Sequence, residues 1–206
     1  MTTIRQADLV ESISAALQYI SYYHPADYIA HLARAYEREQ SPAAKDAIAQ
    51  ILTNSKMSAT GHRPICQDTG IVNVFLKVGM DVRWEGFTGS LDDAINEGVR
   101  RGYNNPDNKL RASIVADPQF ERKNTGDNTP AVVHMEIVPG NTVDVQVAAQ
   151  AVGHAPGTPR GDGRQIELDV GHAGGHAGHQ IGAGRGDQHQ ALDRLASFSS
   201  QTRAPG

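Results

Sequence analysis

Leu9, Val10, Ile13, Ala16, Leu17 and Ile20 recur at three- and four-residue spacing, the pattern that lines one face of a helix. Two further stripes follow. Tyr28, Ile29, Leu32, Ala33 and Tyr36 repeat the spacing behind Pro25, and Ala44, Ala47, Ile48, Ile51 and Leu52 repeat it behind Ser41-Pro42. Proline suits a helix start because its missing N–H would be orphaned there anyway, and Ser41 can cap. The first sixty residues therefore predict three helices with apolar faces for core packing.

The period then changes. Ile71 to Val78 is a β-branched run ended by Gly79, and Asp81 to Trp84 is expected to pair back on it. Ser90 offers a cap before Leu91, Ala94, Ile95, Val99 and Tyr103, with Asp92 and Asp93 in the first turn, where the helix dipole favours negative charge. Asn104 to Asn108 stops that helix. Ala131 to Val138 and Thr142 to Ala149 read as strands, the second alternating Val143, Val145 and Val147 with Thr142, Asp144 and Gln146. Pro139-Gly140-Asn141 is turn chemistry that fits a hairpin between them. The fold class is α+β, and the absence of internal repeats before residue 150 excludes a solenoid.

Composition divides the chain at this point. Residues 151–206 hold 12 of the 21 glycines and five of the nine histidines, no lysine, and Phe198 as their only aromatic. Such a tail buries little apolar surface to offset the entropy of ordering, so it reads as poorly ordered. A formal charge of -4 argues against a nucleic-acid footprint. One cysteine makes no internal disulfide, the opening residues lack the apolar core of a signal peptide, and no apolar run approaches bilayer length; the expected compartment is the cytoplasm.

The candidate chemistry lies in Gly61-His62-Arg63-Pro64-Ile65-Cys66-Gln67-Asp68-Thr69-Gly70, between the helical and strand-rich halves. From residue types three readings compete. Cys66 can be a small buried hydrophobe, with Asp-Thr-Gly serving its own backbone. The Asp-Thr-Gly turn can be an aspartic-protease half-site, which needs a second carboxylate from a dimer and suits poorly the polar Gln67 and the long helical half in front. Alternatively, Cys66 is a thiolate metal ligand with Asp68 reaching the same cavity as a proton donor or acceptor.

The string from Thr60 to Val72 resembles the first cluster-ligand loop of class I fumarases, the oxygen-sensitive iron–sulfur hydro-lyases. Gly79 to Trp84, Ile95 to Arg101, Leu110 to Ser113 and Asn124 to Ala131 resemble the same family in the same order, so the likeness covers roughly residues 4 to 149. The resemblance implies a [4Fe-4S] cluster held by three cysteines with one iron open to substrate, Cys66 matching the first ligand. It implies that Gln67 and Asp68 line the substrate pocket, with Asp68 in a proton-transfer role, and that Arg111 binds a substrate carboxylate. A planar fork of donors suits that task. Thr69 and Gly70 shape the turn, Gly70 supplying a positive φ. Fumarate and malate are the implied substrates, with tartrate or mesaconate dehydration as alternatives, and a homodimer is implied for the intact enzyme.

The resemblance stops after Ala149, where the family continues with a lysine, a glycine-rich loop, two further cluster cysteines and another domain. Residues 1–149 thus read as a partial N-terminal iron–sulfur hydro-lyase domain, and 150–206 as a low-complexity tail expected to be an out-of-register translation after a frameshift or from a faulty gene model. The coding DNA tests this: without a glycine-rich loop and further cysteines in another frame, the idea fails. One cysteine cannot supply three ligands, so these residues by themselves are expected to be inert. A separate reading of the tail as a metal carrier rests on His172, His176 and His179. Glycine and alanine neighbours offer no supporting shell, which favours adventitious binding, and the absence of saturable binding in a nickel or zinc titration would end that reading.

Overall fold

The computed structural model describes residues 2–66, 70–150, 164–169 and 180–181. The chain forms two compact units, the first made of residues 1–21 and 66–182, the second of 22–65 and 183–206. In chain order, strand β1 (Thr3–Arg5) and helix α1 (Gln6–Tyr22) precede α2 (Ala26–Arg38) and α3 (Pro42–Gly61). There follow β2 (Ile71–Gly79), β3 (Arg83–Glu85), α4 (Leu91–Tyr103), β4 (Val115–Ala116), β5 (Lys123–Asn124), β6 (Val132–Val138), β7 (Val143–Gln150), β8 (Arg164–Asp169) and β9 (Gln180–Ile181). This is the α+β arrangement that the change of hydrophobic period predicts. Of the glycine- and histidine-rich tail only β8 and β9 are described; His172, His176 and His179 lie outside the described residues.

The core of the first unit follows from two periodicities meeting. Val72, Val74, Leu76 and Val78 of β2 and Val143, Val145 and Val147 of β7 turn the same alternate face inward. Leu9, Ile13, Leu17 and Ile20 of α1 and Ile95, Val99 and Tyr103 of α4 form one cluster with them. The two helices come close because α4 is bare there: a Cβ added at Gly98 would lie 2.8 Å from Ile13 Cβ. At the head of α4 the expected cap is a full capping box, the Asp93 N–H donating to Ser90 Oγ (3.1 Å) and the Ser90 N–H to Asp93 Oδ2 (2.8 Å).

The hairpin expected between residues 131–138 and 142–149 does not form, although both strands do. The sheet order is β6-β2-β7-β8-β9, so β2 lies between the two, parallel to β6 and antiparallel to β7. Pro139 to Thr142 instead crosses the end of β2. Strands on either side of a third stand about 9.5 Å apart, a gap four residues easily span, so turn chemistry alone does not separate neighbouring strands from next-neighbouring ones. The crossing is bonded down: the Gly79 N–H donates to Thr142 O (2.8 Å), Met80 N–H to Val138 O (2.9 Å) and Asp81 N–H to Gly140 O (2.9 Å). Gly79 must be bare for this approach, since an added Cβ would strike the Gly140 carbonyl, 2.7 Å from its carbon.

The same crossing corrects a second expectation. Residues 81–84 do not pair back on β2; Arg83–Glu85 pairs in parallel with Thr3–Arg5, Ile4 opposite Trp84. Both edges of β2 are already taken, and the chain leaving the crossing finds β1, where pairing buries Ile4.

In the second unit Ile29 and Leu52 form a small cluster with Leu32, Tyr36 and Ile48. Tyr28 and Ile51, assigned by periodicity to the apolar faces, are each 41% exposed, because two helices packed on one another bury a narrower stripe than a full face. Ser41 sits at the start of α3 but makes no side-chain cap; Glu39 accepts from the N–H groups of Gln40 and Ser41 instead.

Candidate active site

Cys66 is exposed, and Gln67, Asp68 and Thr69 lie outside the described residues, so the roles that the resemblance implies for Gln67 and Asp68 fall there too. The described chain resumes at Gly70, which is buried with φ at +51°, the left-handed conformation expected of it. The carbonyl of Gly70 is a meeting point. It accepts from Ser113 Oγ (3.0 Å) and from Asn128 Nδ2 (3.0 Å).

Asn128 is the residue that ties the site together. It is fully buried, and its Oδ1 accepts from the Ser113 N–H (2.7 Å), the Ile114 N–H (3.1 Å) and Ser113 Oγ (3.4 Å) while its amide donates to Gly70. One side chain thereby links the end of the Cys66–Gly70 loop, the segment after Arg111 and the segment from 124 to 131. Asn124 adds a parallel link, donating to Ala112 O (2.8 Å). Three stretches singled out by resemblance, distant in sequence, are thus brought together, with exposed Arg111 two residues from the clamp. Sequence reasoning quoted Asn128 only as part of a longer string. A signal for it exists in the positive φ it needs (+61°), which asparagine tolerates better than most residues.

The approach to Arg111 is fixed from α1. Buried Gln18 donates to Gly102 O (2.7 Å) and Asn108 O (2.9 Å), and Asn108 Nδ2 donates back to Gln18 Oε1 (2.9 Å) and to Ser21 Oγ (3.2 Å). The Leu110 N–H then donates to Tyr103 O (3.0 Å), directing the chain into Arg111.

On the other side of the clamp a charged network holds residues 127–131 to α4. Arg100 binds Glu97 Oε2 (2.7 Å) and Asp127 Oδ2 (3.0 Å), Arg101 binds Glu97 Oε1 (2.7 Å), and the Ala131 N–H donates to Asn96 Oδ1 (2.9 Å). Hydrogen bonds from Arg101 and Arg100 hold the Glu97 carboxyl below its ordinary pKa. Burial alone would raise that of Asp127; bonds from the Thr129 hydroxyl and N–H, with Arg100, more than offset this and lower it. An open polar groove of about 550 Å³ is lined by Gln6, Thr88, Asn96 and Thr129 beside these ion pairs, and neither Cys66 nor Arg111 lines it.

The donor set can be tested against the implied cluster. Cys66 offers one thiolate, the sequence contains no second cysteine, and among the described residues no group of three or more His, Cys, Asp and Glu side chains could hold a metal. A cluster bound through three thiolates does not fit these 206 residues alone. Among the described residues no helix is long and apolar enough to cross a membrane.

Comparison with known proteins gives the same assignment as the motifs. A family model described as fumarate hydratase (Fumerase) matches residues 10–157. The putative L(+)-tartrate dehydratase subunit alpha of Methanocaldococcus jannaschii is 31% identical over 112 residues, covering 53% of this chain and 38% of that protein. The anaerobic class I fumarate hydratase of Escherichia coli K12 is 32% identical over 120 residues, covering 58% of this chain and 21% of its own length. Fumarate hydratase 2 of Leishmania major is 30% identical over 105 residues, covering 51% and 18%. The chain spans less than two-fifths of each of these relatives, all hydro-lyases by name. With the family match running over well more than half of its residues, the chain belongs to the fumarate hydratase (Fumerase) family.

Proposed function

We propose that this chain carries the N-terminal part of a class I hydro-lyase that adds water to, or removes it from, a four-carbon dicarboxylate, with fumarate and malate as the pair. The observation that carries the reading is the Asn128 clamp, which gathers three family-like segments at Gly70, with Ser113 of the clamp two residues after Arg111. Arg111 would grip a substrate carboxylate with its planar fork, and Asp68 would hold or release the proton that moves as water adds across the double bond. Cys66 would be the first ligand of a [4Fe-4S] cluster, whose open iron supplies Lewis acidity when bound. The other two thiolates would have to come from outside these 206 residues.

The similarity to a tartrate dehydratase alpha subunit favours a second reading of the same chemistry, with L-tartrate as substrate. The coding DNA is examined beyond Ala149 in its other frames, and the uninterrupted protein is expressed and assayed without oxygen on malate, tartrate and mesaconate. The expected result is two further cysteines, malate turnover that Cys66→Ser abolishes, and a rise in KM with Arg111→Lys. Turnover of tartrate alone would select the second reading. Malate turnover by the 206-residue chain itself, reconstituted with iron and sulfide, would refute the view that it lacks part of the site.

A further inference from the structure

The polar groove beside α4 has no part in the reaction proposed above, since neither Cys66 nor Arg111 lines it, and its lining residues all belong to the first unit. Its floor is one face of α4, where Asp93, Asn96, Glu97, Arg100 and Arg101 recur at three- and four-residue spacing. The rest of the lining is tied down. The Thr88 N–H donates to Gln6 Oε1 (2.8 Å), and Thr129 and Pro130 are held through the Ala131 N–H, which donates to Asn96 Oδ1 (2.9 Å).

The balance of donors and acceptors decides what such a groove can take. Both oxygens of Glu97 are covered, Oε1 by Arg101 and Oε2 by Arg100, and Asp93 Oδ2 accepts from the N–H and hydroxyl of Ser90. Most donor capacity, by contrast, is unspent. Arg101 bonds through Nε alone and Arg100 through Nε and Nη1, so among the described residues Arg100 Nη2 and both Nη atoms of Arg101 make no hydrogen bond. Gln6 Nε2 and Asn96 Nδ2 make none there either. The two guanidiniums share one carboxylate, so a ligand meets them already ordered. No aromatic side chain lines the groove, which leaves a nucleobase nothing to stack on. A phosphate offers three acceptor oxygens to donors arriving from several sides, more than a planar carboxylate does. Asp93 and Arg100 stand about 10 Å apart along the helix axis, which leaves room beyond the phosphate for hydroxyl groups.

We propose that this groove is a separate ligand site that takes the phosphate monoester of a small polyol, with the phosphate on Arg100, Arg101 and Asn96 Nδ2 and the hydroxyls on Gln6 and Asp93. The site uses neither Cys66 nor a cluster. It therefore stands or falls independently of the hydro-lyase reaction.

Amide NMR of the whole 206-residue chain, titrated with glycerol phosphate, tests this, with Trp84 fluorescence confirming that each variant is folded. Saturable shifts are expected at the Asn96 side-chain amide and along residues 93–101, with a Kd of about 1 mM or tighter at low salt. Glycerol, and sodium chloride at matched ionic strength, should leave those signals in place. Asn96→Asp keeps an oxygen for the Ala131 N–H but turns the open donor into a charged acceptor, and should weaken binding about tenfold or more. Arg101→Gln removes one open fork at an exposed position and should also weaken it. Shifts that never saturate, shifts that glycerol or chloride reproduces, or binding that Asn96→Asp leaves unchanged would overturn the proposal. So would tighter binding of L-malate than of glycerol phosphate at these residues, which would give the groove to a carboxylate.

Discussion

Replacing Asn128 by alanine removes a fully buried amide that bridges three chain segments, and its cost can be worked bond by bond. The short bonds to the Ser113 and Ile114 N–H groups and to Gly70 O are each worth about 1 kcal/mol net. Gly70 O keeps its bond from Ser113 Oγ, so no full desolvation penalty is added there. Alanine at φ +61° adds about 1 kcal/mol of backbone cost. The sum is about 4 kcal/mol, a large share of the 5–15 kcal/mol that typical domains possess. Asn128→Gly loses the same bonds without the backbone cost and should lose about 3 kcal/mol. Urea unfolding followed by the fluorescence of Trp84, which lies in the same unit and packs edge-on against Phe87 at 5.1 Å, reads both values. A loss below about 1 kcal/mol in both variants would show that the clamp is not what holds the three segments together.

Further consequences follow from other contacts. Gly79→Ala drives a methyl into the crossing at Gly140 and should cost about 2–3 kcal/mol in urea unfolding, far more than an ordinary glycine-to-alanine change in a strand; a neutral result would mean that the crossing shifts freely. Gln18→Ala and Asn108→Ala should each cost about 2 kcal/mol, and the double variant about 1 kcal/mol less than their sum because they share one bond, which a double-mutant cycle measures. Asp93, Glu97 and Asp127 all have lowered pKa values when folded. The unfolded chain therefore binds protons first, so their stabilisation is present above about pH 4.5 and fades as pH falls through the lowered values. Acid titration of thermal stability should show this loss, reduced in high salt because Asp93 is exposed and Glu97 and Asp127 are only partly buried; stability that rises on acidification through this range would contradict it.

The features legible in the sequence are those set by local period and local chemistry. The α1 stripe from Leu9 to Ile20, the alternation of Val143, Val145 and Val147 and the Ser90 cap can each be read within about a dozen residues, and each stands where the pattern puts it. What escaped was strand adjacency: Pro139-Gly140-Asn141 has the same composition whether it joins neighbouring strands or crosses over one, and only the buried face of β2 between them decides. Asn128 was obscured for a related reason, since its partners lie 14, 15 and 58 residues away. Cys66 and Arg111 are singled out only by long motifs, because a lone thiol or a lone guanidinium carries no such information by type.

The crossing at Gly79 also bears on how the sheet is assembled. β6 and β7 are consecutive yet cannot zip into a local hairpin, because the place between them belongs to a strand made more than fifty residues earlier. β2 must wait for β6 and β7 to be synthesised before either of its edges is covered. Every β2 pairing in this sheet closes a long loop, which makes sheet formation slow and leaves the apolar β2 run open to other chains until the crossing closes.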